Sequence, residues 1–270
     1  MQKIVYIIGA SSQVGRAARV ILSKGDCKVI ALSRKKIDLF PNEEFRQFHL
    51  GQEIVPLAGE YEHIVFYFAH DFSDRRFDKE NINAVGLEEV INSFKASKRK
   101  RIIFLSTPDV HNSRTTVYKS QKMIAESMLN LREDLIARPS LIFSNSSMKG
   151  FLNALPKFIP IPVNNSRISP IVAPAFAEKL LDFGFDSSTN GIVLFIGTDL
   201  ISVSDFLKRQ YGIYTFRLPN ILWLGLVLLL KLTQITTLFF LSERIMGYIY
   251  LKDIDLLHED NVKKVVVPFG

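Results

Sequence analysis

The run Ile4-Val5-Tyr6-Ile7-Ile8-Gly9-Ala10-Ser11-Ser12-Gln13-Val14-Gly15 decides the fold. Five apolar residues in succession, rather than alternation, suit a short strand buried on both faces of a parallel sheet. Gly9 ends the run. From Val14 to Lys24 the pattern becomes helical, with Val14, Ala17, Ala18, Ile21 and Leu22 on one face, and Gly25-Asp26 stops it. A glycine at the strand end permits a tight turn, and a later one lets the helix pack close to the strand. The helix start then turns unpaired N–H groups and a positive dipole end toward any anion held at the turn. Gly9, Ser11, Ser12, Gln13, Val14 and Gly15 are therefore the expected contacts of a dinucleotide pyrophosphate.

Outward from this unit the alternation continues. Strand patterns lie at Lys28 to Leu32, Phe45 to Leu50, Ile64 to Ala69, Arg101 to Leu105 and from Leu135 to Ala137. Helical patterns lie between them at about Asn83 to Ser97, carrying Val85, Val90, Ile91 and Phe94, and at Tyr118 to Leu131. Short apolar strands alternating with helices argue for βαβ units wound into a Rossmann-like, doubly wound parallel sheet. After Arg138-Pro139 proline becomes frequent, between Pro156 and Pro174, and helix patterns dominate beyond. The expected division is a dinucleotide-binding domain over 1–143 and a smaller, mainly helical substrate lobe over 144–270. That lobe is not independent and could return a strand to the sheet. No internal repeat is visible.

Composition narrows the function classes. The 270 residues are 47% hydrophobic and 23% charged, an ordinary globular balance. The one cysteine, Cys27, excludes an intramolecular disulfide and a cysteine metal cluster, and a buried inert thiol is expected. His49, His63, His70, His111 and His258 show no ligand spacing, so no metal is expected. The net charge of +7 is concentrated in Arg34-Lys35-Lys36 and Lys95 to Arg101. Neither zinc-finger spacing, an RNA-binding aromatic motif nor a helix-turn-helix accompanies it, which argues against a nucleic-acid partner. The N-terminal residues run straight into a strand pattern without a signal-peptide core, so a cytoplasmic location is expected.

Two further signals concern chemistry. At the end of the second strand, where an acid would bond the adenosine ribose, the chain reads Ser33-Arg34-Lys35-Lys36. A hydroxyl and three cations suit a 2′-phosphate, so NADP is the preferred cofactor, with Asp38 close enough to keep NAD open. In Tyr118-Lys119-Ser120-Gln121-Lys122, Tyr118 and Lys122 are four apart and share a helix face. An ammonium near a phenol favours the phenolate, which equips Tyr118 as a general acid or base.

These segments, taken in order from residue 3 to about 143, resemble the extended and atypical short-chain dehydrogenase/reductases. Gly9 and Gly15 match the outer positions of that family's Gly-x-x-Gly-x-x-Gly turn, with Ser12 at the middle one. The resemblance implies that Tyr118 transfers the proton and Lys122 holds the nicotinamide ribose. It implies that Thr107, with Ser106 as the alternative, binds the substrate oxygen, and that Phe68, Ala69, His70, Asn83 and Ser106 line the cofactor. Glu126 resembles a recurrent family position, against the plainer reading of a helix-surface acid. Arg138-Pro139-Ser140 resembles the step that ends the sixth strand. Ten residues separate Thr107 from Tyr118, a short loop similar to that of atypical members, some of which are not catalytic.

The function implied is an NAD(P)-dependent oxidoreductase, epimerase or dehydratase acting on a sugar nucleotide or related hydroxyl or ketone substrate. The alternative is a non-catalytic dinucleotide-binding accessory or sensor protein. Lys157 and Arg167 are candidates for diphosphate contact or simple surface charge. The apolar segment 219–241 is interrupted by Lys231. It is expected to be a buried helix of the lobe, with a peripheral membrane contact or a homodimer interface as the other readings and a true membrane span the least favoured, because a cation near the middle of a span is costly.

Overall fold

In the computed structural model, the described residues are 2–111, 116–143, 157–162, 167–219, 221–222, 225, 228–229 and 262–268. Fourteen strands occur among them: β1 (Lys3–Ile8), β2 (Lys28–Ser33), β3 (Glu43–Gln47), β4 (Glu62–Tyr67), β5 (Lys100–Leu105), β6 (Leu135–Pro139), β7 (Ile142–Phe143), β8 (Phe158–Pro162), β9 (Arg167–Ile168), β10 (Ile171–Val172), β11 (Gly191–Gly197), β12 (Ile201–Ser202), β13 (Tyr214–Leu218) and β14 (Lys263–Val267). The helices are α1 (Gln13–Leu22), α2 (Ile82–Ser93), α3 (Val117–Glu126), α4 (Ala173–Phe185) and α5 (Val203–Tyr211).

Eight strands form one sheet in the order β14-β11-β6-β5-β4-β1-β2-β3, and every pairing in it is parallel. The sheet is doubly wound. The reason lies in the strands themselves: β1, β2 and β4 each bury five consecutive residues, so both faces must be covered. On one face Val5, Ile7, Ile64 and Phe66 meet Val14, Ala18 and Leu22 of α1 and Phe176, Ala177, Leu180 and Leu181 of α4. On the other, Ile4, Tyr6, Ile8 and Val65 meet Leu87 and Val90 of α2 and Ala125 of α3.

Several boundaries differ from expectation. The third strand lies at Glu43–Gln47, earlier than Phe45 to Leu50. It is an edge strand, and the buried bidentate pair of Arg19 with Glu43 (2.8 and 2.5 Å) draws its polar start against α1. A polar residue used this way leaves no apolar signal in the sequence. Beyond residue 143, α4, β11 and β14 belong to the sheet layer, so the chain returns two strands to it. The other described elements there are α5 and the small pairs β10–β7, β12–β9 and β13–β8.

β1 lies between β2 and β4, so the chain leaves β1 in one direction and later crosses to the other side. Connections diverge at the C-terminal ends of β1 and β4, which opens a crevice where open α/β sheets bind ligands. Because all eight strands are parallel, the residues following β1, β2, β4 and β5 share that edge.

Candidate active site

The turn after β1 is built by close contact. Gly9 has φ +86°, and a Cβ there would stand 2.8 Å from the Ala69 amide nitrogen. The N–H groups of Gly9 and Ala10 donate to the Leu32 carbonyl, and that of Phe68 donates to Ile8. The ends of β1, β2 and β4 are thereby drawn together. A Cβ on Gly15 would lie 2.4 Å from the Gly9 carbonyl oxygen, so only glycine allows α1 to start this close to the turn. Ser12 is the N-cap of α1, its Oγ accepting the Gly15 N–H at 3.0 Å. The hydroxyl proton is still available to an anion. Ser12 therefore adds a cap that glycine could not supply, worth roughly a few tenths of a kcal/mol over glycine. Ser11 is exposed, Gln13 half-buried and Val14 buried under the turn.

After β2, Ser33 is buried and donates to the Lys35 carbonyl, while the side chains of Arg34, Lys35 and Lys36 are exposed. Glu43 is held by Arg19, whose Nη2 also donates to the Asp38 carbonyl, and the Asp38 side chain is exposed.

The end of β4 and the start of α3 meet through aromatic rings. His70 stands edge-on to Tyr118 with centroids 4.9 Å apart, and Phe72 stacks over Tyr118 at 5.8 Å and 22°. Lys122, one turn further along α3, is 5% exposed. Its Nζ donates to the Leu105 carbonyl at 2.7 Å and lies 4.6 Å from the centre of the Phe104 ring and 5.8 Å from that of Tyr118. Burial pushes its ammonium down to about 7, against an opposing pull from Glu126. Lys122 thus ties α3 to the end of β5, immediately before Ser106 and Thr107. Thr107 is buried, and its Oγ1 accepts the Asp109 N–H at 3.2 Å, starting the short 3-10 turn Pro108–His111.

The structure brings the turn residues, Ser33, Phe68, Ala69, His70, Thr107, Tyr118 and Lys122 to the same edge of the sheet. Two candidates are differently engaged. The Ser106 hydroxyl donates to Glu126, and its N–H to the Ala137 carbonyl. Asn83 accepts the Asp71 N–H at 2.6 Å and donates to the Asp71 carbonyl and to Gln121 Oε1, at 3.0 and 3.1 Å. Both residues shape the walls of the site through other protein groups.

Residues that carry no chemistry in a sequence reading do much of the holding. Glu126 is not a surface acid: it takes Arg138 in a bidentate pair, 3.0 and 2.6 Å, with side chains only 10% and 8% exposed. This pair fastens α3 to β6, and Ser106 adds β5. Gln121 is 1% exposed and bridges α3 to the loop after β4. Its signal was its place three residues beyond Tyr118 on one helical face. Phe72 had no signal, because a lone aromatic in a loop is ordinary.

Asp74 shapes the same loop. It accepts the Ile82 N–H at the start of α2 and pairs with Arg76 at 2.6 Å. The Arg76 hydrogen bond, more than the helix N–H, holds its carboxyl down at about 2, below the ordinary 3.8. A carboxylate lowered on folding contributes stability above its unfolded value and loses it as pH falls through the folded one. The protection of the Ile82 amide against exchange, relative to its intrinsic rate, should therefore fall between about pH 4 and pH 2, and Asp74→Asn should remove that dependence.

Among the described residues, no group of histidine, cysteine or acidic side chains could hold a metal, and no helix is long and apolar enough to cross a membrane. Most of 219–241 lies outside the described residues; of the described ones, Ile221, Leu222, Leu228 and Leu229 are helical and exposed, not buried as expected. Lys157 and Arg167 are both exposed.

No protein-family model and no curated protein matches the sequence. Solved structures do. The terminal R domain from the myxalamid PKS-NRPS biosynthetic pathway superposes with a TM-score of 0.66 at 13% identity, over 94% of this chain and 80% of that one. The epimerase Mth375 from Methanothermobacter thermautotrophicus gives 0.63 at 15% identity, over 81% of this chain and 80% of that one. MoeE5, solved in complex with UDP-glucose and NAD, gives 0.58 at 11% identity, over 80% and 85%. At these identities the likeness is one of fold. With its strand order and its glycine turn, the chain has the Rossmann-like α/β fold that these structures share.

Proposed function

We propose that the protein is an NAD(P)-dependent enzyme of the short-chain dehydrogenase type, an oxidoreductase, epimerase or dehydratase acting on a sugar nucleotide or related hydroxyl or ketone substrate. The observation that carries this reading is that Tyr118 packs on His70 after β4 and Lys122 bonds the Leu105 carbonyl at the end of β5, two residues before Thr107, on the same sheet edge as the glycine turn. A dinucleotide fits the residues present. The turn is stripped of side-chain bulk at Gly9 and Gly15, and the α1 N-terminus faces it with a serine hydroxyl. When bound, the nicotinamide supplies the hydride acceptor or donor. The chain supplies the rest. Tyr118 exchanges the proton at the substrate oxygen, Thr107 orients that oxygen, and Lys122 stabilises the phenolate and reaches for ribose hydroxyls.

The substrate class is supported by MoeE5, whose structure contains UDP-glucose. Within the site, NADP is the favoured cofactor. Arg34 is exposed just after β2, and of the nearby acids Glu43 is engaged by Arg19. A charge-assisted contact to a 2′-phosphate would contribute about 1.5–3 kcal/mol. Arg34→Ala should therefore weaken NADPH binding on the order of tenfold to a hundredfold while leaving NADH nearly unchanged. Fluorescence titration with both dinucleotides measures this. Equal weakening of both would remove the 2′-phosphate contact. No binding of either by the wild type would leave a non-enzymatic role in its place.

A further inference from the structure

The loop after β4 is only partly shaped by its own residues, through Ser73 on Asp71 and Arg76 on Asp74. Between His70 and Arg76 it has no regular secondary structure, and it is tied down from outside by two buried amides. The Gln121 Nε2 donates to the carbonyls of Asp74 and Arg76, at 2.9 and 3.0 Å, while its Oε1 accepts from Asn83. Asn83 in turn takes both backbone groups of Asp71. Three segments, α2, α3 and the loop, therefore meet at one side chain. Gln121 is three residues beyond Tyr118, so it shares that residue's helix face. What the strut delivers is visible at the other end of the loop: the rings of His70 and Phe72, packed edge-on and face-on against Tyr118.

We propose that Gln121 is a positioning residue for Tyr118. By fixing the loop over 71–76 to α3, it sets His70 and Phe72, which also pack on each other, as a clamp on one side of the tyrosine ring. The phenol then presents its hydroxyl at the sheet edge in one orientation, with a ring face closed to water. The assignment rests on the enzymatic reading above for its significance, but its geometry stands apart from it. A buried amide with three partners is costly to disturb, because each partner left unpaired in the interior loses a hydrogen bond it cannot replace from solvent. The clamp should therefore hold or fail as a unit.

The test uses the full chain and needs no substrate. N-acetylimidazole acetylates phenols through the phenolate, and mass spectrometry reads each tyrosine separately. In Gln121→Ala, Tyr118 should be labelled about tenfold faster, the pH profile of its labelling should move, and the amides of 71–76 should exchange about tenfold faster. Tyr214, half exposed on β13, serves as the internal reference and should not change. Gln121→Glu keeps an acceptor for Asn83 but loses both donors to the loop, and should behave as Gln121→Ala does. It also serves if the alanine variant does not fold. Phe72→Leu should speed Tyr118 labelling while leaving exchange over 71–76 unaltered. The proposal is overturned if Tyr118 labelling in both Gln121 variants equals wild type, or if Gln121→Glu alone restores wild-type exchange. A wild type that binds no dinucleotide would sink the enzymatic reading and leave these outcomes fully readable.

Discussion

Tyr118→Phe should lower turnover by about 10²–10⁴-fold, the usual contribution of a positioned general acid or base, with dinucleotide affinity nearly unchanged. The reasoning is geometric. Phenylalanine preserves the ring that His70 and Phe72 grip, so the clamp, the loop and α3 should stay in place. Only the hydroxyl is lost. Steady-state rates with NADPH or NADP and a panel of sugar nucleotides, beside dinucleotide titration, separate the two effects. A variant as active as wild type would move the proton transfer to another group. A variant that also failed to bind dinucleotide would mean that the phenol serves binding. The companion residue behaves differently. Lys122 sits near its midpoint at neutral pH, because burial has lowered it to about 7. A neighbouring phenolate would favour its charged form, so uptake at Lys122 would offset the proton that Tyr118 releases.

The second large effect is on stability. Glu126→Leu should destabilise the protein by about 3–5 kcal/mol, since it leaves the Arg138 guanidinium buried without its carboxylate. The pair lies at a junction: Glu126 on α3, Arg138 on β6, and the Ser106 hydroxyl after β5 donating to the same carboxylate. Replacing both members, as Glu126→Leu with Arg138→Met, should recover most of that loss, because an apolar pair of similar volume avoids the desolvation cost. Urea denaturation of the two single variants and the double measures the coupling directly. If Glu126→Leu costs less than about 1 kcal/mol, the pair is a bystander and α3 is held by packing alone. The same variant also bears on the site: α3 carries Tyr118 and Lys122, so its fastening to β5 and β6 fixes where they stand.

Gly9 to Gly15, Tyr118 with Lys122 and the alternation of strands were legible because each follows a local rule. A strand buried on both faces must be apolar throughout. A turn where a Cβ would stand 2.8 Å from another backbone admits only glycine. Two residues four apart on a helix must share a face. Those rules act within a few residues, so the amino-acid order alone determined the doubly wound class and the edge at which the site lies. Ser12 illustrates the limit of a pattern: it departs from the glycine expected, yet it is the N-cap of α1.

What only the tertiary structure decided is what holds the site in shape. Glu126 and Arg138 are twelve residues apart and polar, and their burial depends on three elements closing over them. Asn83 and Gln121 are separated by thirty-eight residues, so neither betrays the other. Phe72 became a clamp because a buried amide on another helix anchored its loop. Polar side chains gain structural meaning through partners brought close by folding. Apolar periodicity needs no partner to be read, and that difference divides what the sequence of this protein determined from what its fold decided.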